Sequence, residues 1–203
     1  MISVITGDII HSQRFLESNI WIDILKKSFS KLEISEGNWN IYRGDSFQIE
    51  IEDVSKALEA SVYIKACVMT VKDLNVRMAI GIGEKTFDGE NVTESNGTAF
   101  VFSGETLENL KAEKFNLKIK SRNKEFDEEL NLYFRLSLIA MDNWTTNSAE
   151  IVKLYFEHPE KLQKEVAAKL GISQNAVSKR QTRAYLDEIL QLNEMYKKKV
   201  KAV

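Results

Sequence analysis

The chain has 203 residues, 43% of them hydrophobic, enough for one large core and a smaller second one. A single cysteine, Cys67, and only two histidines exclude a disulfide framework and a zinc site of the usual kind, and no run approaches the ~20 apolar residues of a membrane span. The net charge of −2 hides a division: residues 1–143 carry 17 Lys and Arg against 23 Asp and Glu, whereas residues 144–203 carry 11 against 7, so only the C-terminal part suits a polyanion.

The opening Met1-Ile-Ser-Val-Ile-Thr-Gly-Asp8 lacks the basic region and small-residue cleavage site of a signal peptide, and with the lone cysteine it predicts a cytoplasmic protein without a membrane partner. Its apolar run Ile2 to Ile5 predicts a short buried strand ending at Thr6-Gly7-Asp8. A helix is expected from about Ser12 to Leu32, with Phe15, Ile20, Ile24 and Leu32 at helical spacing. Trp39–Tyr42 and Phe47–Ile51 then alternate with period two across Arg43-Gly44-Asp45-Ser46, which predicts a β-hairpin.

Leu58, Ala66 and Met69 mark a second helix within Val54–Val71, and Val76–Gly83 returns as a strand. After a polar loop, Glu84 to Asn96, a short helix (Ala99–Leu110), a strand (Phe115–Ile119) and a helix (Glu125–Met141) follow. The predicted class is α+β: a ferredoxin-like βαββαβ sandwich with its helices on one sheet face, followed by an all-α domain. The expected boundaries are 1–122 for the sandwich, 123–143 for a connecting helix and 144–203 for the C-terminal domain.

Within that last segment, Gln163 to Arg180 has the spacing of a helix-turn-helix. Ala167 is small where two helices cross, Gly171 allows a left-handed exit from the first helix, and Ile172 plugs the corner. Ser173 is an N-cap for the second helix, and Val166, Leu170, Ile172, Ala176 and Val177 form a small shared core. The second helix then presents Ser173, Gln174, Asn175, Ser178, Lys179, Arg180 and Arg183, with no acidic residue from Ser173 through Leu186, a composition suited to double-stranded DNA. A plain helical corner is the bland alternative. Arg180 stands where such motifs usually have an apolar residue. The helical pattern continues through Ile189, Leu192 and Met195 to Lys197–Lys199, as one long helix that either pairs two copies into a homodimer or packs on the chain's own N-terminal domain.

Asp8 and Asp45 stand at strand ends that are neighbours in a βαββαβ sheet. Two carboxylates that converge repel, and Mg²⁺ or Mn²⁺ is the type of ion that relieves such a pair; an Asp in such a position, taken alone, is more often an ordinary turn former. The order Asp8-Ile9, Arg43-Gly44-Asp45-Ser46-Phe47 and Arg77–Gly83 resembles the palm-type domain of class III nucleotide cyclases and diguanylate cyclases, and its union with a C-terminal helix-turn-helix resembles the SatD family. The resemblance implies Asp8 and Asp45 as metal ligands, Ile9, Ser12 and Gly44 as nucleotide contacts, and a nucleoside triphosphate as ligand. Diguanylate cyclases have a Gly and an acidic residue flanking the hairpin Asp, where this chain has Arg43 and Ser46; class III cyclases have a late Asn and Arg, absent from Gly97–Gly104. Nucleotide binding without turnover, coupled to DNA binding, is therefore the expectation, with a DNA-targeted cyclase-like enzyme as its alternative.

Overall fold

The computed structural model describes residues 1–15 and 17–202. Five strands form one mixed sheet in the order β2-β3-β1-β4-β5. The central β1 (Ile2–Ile10) pairs antiparallel with β3 (Ser46–Ile51) on one side and β4 (Asn75–Gly83) on the other. β2 (Trp39–Tyr42) completes the hairpin with β3, and β5 (Leu117–Lys120) lies parallel to β4.

The expected end of β1 at Thr6-Gly7-Asp8 is corrected: the strand runs on to Ile10. With a strand on both sides, every residue from Ser3 through Asp8 has two cross-strand partners, so a turn-like sequence stays extended. Gly7 contributes by absence, since a Cβ there would collide with the Phe47 ring. The first helix is also shorter than predicted. One turn of 3₁₀ helix covers Ser12–Arg14 and α1 spans Asn19–Lys31, while position 16 of the predicted stretch lies outside the described residues.

α1 and α2 (Ala57–Met69) cover one sheet face, packing on Ile5, Ile9, Phe47, Ile49, Met78 and Ile80. α2 is buried at every position except Glu59, because it lies between the sheet and α5 (Thr146–Glu157). The expectation of helices on one face fails at α3 (Thr98–Glu113), which crosses between the parallel β4 and β5 on the opposite face. There Gly81 lets the two backbones touch: a Cβ at that position would meet the Ala99 carbonyl and the Ser103 amide.

α4 (Lys124–Met141) packs on β5 and leads into α5, α6 (Gln163–Leu170), α7 (Gln174–Ala184) and α8 (Leu186–Val200). The hydrophobic core runs without a break from the sheet through Phe134 and Trp144 to Val166, Val177, Ile189 and Tyr196. The single trailing helix predicted from the sequence is two helices. Tyr185 adopts a left-handed conformation (φ 54°) that turns α8 back onto the N-terminal half. There the Tyr196 hydroxyl donates to the Val54 carbonyl (2.8 Å), Lys197 pairs with Glu59 (3.0 Å) and Lys199 with Glu129 (2.8 Å).

Candidate nucleic-acid interface

Local sequence sets the geometry of α6 and α7. Gly171 closes α6 in the left-handed region (φ 65°), and the Ile172 amide bonds back to the Ala167 carbonyl. Ser173 is the N-cap of α7, its hydroxyl accepting from the Ala176 amide (3.2 Å). Val166 and Val177 are buried between the helices, with Leu170 and Ile172 half-buried around them. Gln163 donates to Gln181 across the pair (2.6 Å).

Two further contacts fix α7 against the rest of the chain. The Trp144 indole donates to the Ala184 carbonyl (2.9 Å), satisfying one of the last-turn acceptors that a helix leaves without an internal partner. Arg180 pairs with Glu150 on α5 (3.0 Å). Its position therefore faces inward, as in motifs with an apolar residue there, and the charge is met by a carboxylate 30 residues earlier. Arg180 consequently leaves the proposed reading surface.

Of the remaining predicted residues, Ser173 commits its hydroxyl to the N-cap, and the other five stay on that face. Gln174, Asn175, Lys179 and Arg183 are exposed, and Ser178 is half-buried. Among the described residues, none of these five side chains has a hydrogen-bond or ion-pair partner. Thr182, exposed one turn beyond Ser178, belongs to the same face and escaped the sequence reading; the only signal for it was its spacing of three from Lys179.

The acidic pair is brought to one end of the sheet, but each member is engaged separately. Asp8 faces α3's side of the sheet and pairs with Arg77 (3.1 Å). Burial pushes its carboxyl above the usual carboxylate range, Arg77 opposes the rise, and the nearby Asp45 adds to it. Asp45 accepts from the Ser12 hydroxyl (2.8 Å), and its carbonyl accepts the Ile9 amide (2.9 Å). The Ile9 side chain lies in the core, and the Gly44 carbonyl accepts from the Trp21 indole (2.8 Å). A guanidinium thus takes the place beside Asp8 that a divalent ion would need. Among the described residues, no group of three or more His, Cys, Asp or Glu is arranged to hold a metal.

The helical segment is joined to the sheet domain through α2. Lys65, buried, donates to Asp142 (2.6 Å) at the end of α4 and to Asn75 (2.7 Å) at the start of β4. Burial pushes its ammonium below the ordinary lysine range, and Asp142 opposes the fall. Two residues earlier on α2, the Tyr63 hydroxyl donates to Glu157 of α5 (3.0 Å). Cys67, also on α2, is buried.

The family model of Sigma-70, region 4, a helix-turn-helix DNA-binding region, matches residues 140–186, from the last residues of α4 through α7. No curated protein and no solved structure matches the chain. Among the described residues, no helix is long and apolar enough to cross a membrane. The chain is an α+β protein that carries, in its C-terminal third, a helix-turn-helix similar to a DNA-binding region.

Proposed function

We propose that the protein is a DNA-binding transcriptional regulator in which α7 enters the major groove. The observation that carries this reading is the set of unpaired amide, hydroxyl and cationic groups on the exposed face of α7, beside an inward arginine that is neutralised. Gln174 and Asn175, on the first turn, are placed to meet base edges, and Lys179 and Arg183 to meet phosphates. The similarity to Sigma-70 region 4 supports the same reading.

The sheet domain is the regulatory half of this proposal. Its first four strands lie in the order β2-β3-β1-β4, which supports a ferredoxin-like domain; the SatD-like reading rests on the sequence resemblance alone. A nucleotide at that sheet end would have to compete with Asp8 for Arg77, and binding there would reach the helical segment along β4, whose Asn75 meets Lys65 and Asp142.

Anisotropy titration of a labelled duplex against wild-type protein, Lys179→Ala and Arg183→Ala tests the first half. Each variant is expected to weaken binding and to lower the salt slope by about 0.9. Variants that bind as tightly as wild type at low salt overturn it. Thermal-shift measurements with ATP, GTP, Mg²⁺ and Mn²⁺ test the second half, since a ligand that binds only the folded state must raise the midpoint; no shift with any of them removes the sensing role.

A further inference from the structure

α4 and α8 lie side by side and antiparallel: Lys199 at the end of α8 meets Glu129 near the start of α4, while Ala184, just before α8, meets Trp144, just after α4. Their inner faces belong to the core, through Phe134 and Leu138 on one helix and Ile189 and Tyr196 on the other. Their outer faces are apolar as well. Leu132, Leu136 and Ile139 of α4, spaced by four and three residues, are 53%, 56% and 69% exposed. Tyr185, Leu192 and Met195 supply the opposite wall of a groove of about 720 Å³. Large aliphatic residues recurring at coiled-coil spacing on a solvent-facing helix are not needed by the fold of one chain.

We infer that this face binds a second copy of the chain, α4 and α8 of each copy joining into a four-helix bundle about a two-fold axis. Charge selects the second copy as occupant. On α8, Glu188, Gln191, Met195 and Lys198 recur at helical spacing on the exposed side, so that the stripe is acidic at one end and basic at the other. Among the described residues, neither Glu188 nor Lys198 has an ion-pair partner, although Lys197 and Lys199 on either side of Lys198 both do. Antiparallel pairing of two α8 helices about Asn193 sets Glu188 against Lys198 of the second copy twice, and Gln191 against Met195 twice. A two-fold interface is self-complementary in this way.

The area suffices. α4, at 18 residues, is about 27 Å long, and two helices side by side are about 19 Å wide. That gives roughly 500 Å² on each copy and about 1,000 Å² in the pair, at the lower bound for specific association. The arrangement carries the two α7 helices to opposite ends of the bundle, separated by at least the length of α8, about 22 Å, which is compatible with half-sites about 34 Å apart. The inference itself does not depend on DNA binding.

Sedimentation of the full chain over a range of concentrations tests it. Wild type is expected to sediment as a dimer in rapid exchange with monomer at micromolar concentrations. Ile139→Glu changes only a solvent-facing side chain, so its circular dichroism, and its thermal midpoint at concentrations low enough for both proteins to be monomeric, should match wild type while its dimer constant weakens about tenfold or more. Glu188→Lys and Lys198→Glu should each weaken the dimer several-fold, and the double reversal should restore it to within about twofold of wild type. A wild type that stays monomeric at about 100 µM, or a double reversal as weak as the single ones, overturns the inference.

Discussion

Lys65→Met removes a charge that ties three segments together while leaving the methylene stem in place. Lys65 is 1% exposed and its ammonium reaches both Asp142 and Asn75. Breaking a fully buried ion pair by removing one partner costs about 3–5 kcal/mol, because the other charge is left without compensation. Asp142 retains 28% exposure and can be re-hydrated, which reduces the expected loss to about 2–3 kcal/mol. Urea unfolding followed by far-ultraviolet circular dichroism should show the midpoint falling by about 1 M. Adding Asp142→Asn removes the stranded carboxylate and should recover about 1 kcal/mol. Tryptophan fluorescence should follow the same single transition, because the core is continuous from the sheet to α8. A Lys65→Met protein as stable as wild type, or one whose loss is not eased by Asp142→Asn, would refute the assignment of Lys65–Asp142 as the joint between the halves.

Arg180→Ala should cost less than about 1 kcal/mol, since Glu150 is partly exposed, and should leave the salt slope of DNA binding unchanged, in contrast to Arg183→Ala. Gly81→Ala forces a Cβ into the α3 backbone and should destabilise by about 3 kcal/mol, lowering the thermal midpoint by roughly 6–12 °C in a scanning calorimeter. Burial pushes the Cys67 thiol above its ordinary value, so at about pH 8.5 a thiol reagent should label it rapidly only in denaturant, and fast labelling of the folded protein would show that α2 opens.

The elements legible in the sequence are those whose cause is local. The Trp39–Ile51 hairpin declares itself by alternation and a Gly-containing turn, and the helix-turn-helix by Gly171 and Ser173, whose backbone roles are fixed by their chemistry. What was not legible depends on partners distant in the chain. β1 continues through Gly7 only because Phe47 fills the space and strands flank it on both sides. Arg180 is intelligible only with Glu150, and the break between α7 and α8 falls on Tyr185, a residue with no tendency to end a helix. The face taken by α3 followed from the parallel pairing of β5, which a short run of alternating residues does not encode. At the acidic pair, the sequence correctly placed Asp8 and Asp45 at one sheet end but could not show Arg77 beside the first and Ser12 beside the second.

The ion pairs that fold α8 back also sort the molecule's charge. Lys197 and Lys199 are matched by Glu59 and Glu129 of the acidic half, and Arg180 is matched within the helical segment. Two of the four surplus positive charges of residues 144–203 are thereby met by the acidic half, whereas Lys179 and Arg183 on α7 have no ion-pair partner among the described residues. That leaves an uneven field, with unpaired cations on the exposed face of α7 and an acidic excess in residues 1–143. Such a field repels a polyanion from most orientations and turns the protein as it approaches, so that productive encounters with DNA begin with α7 already facing the duplex.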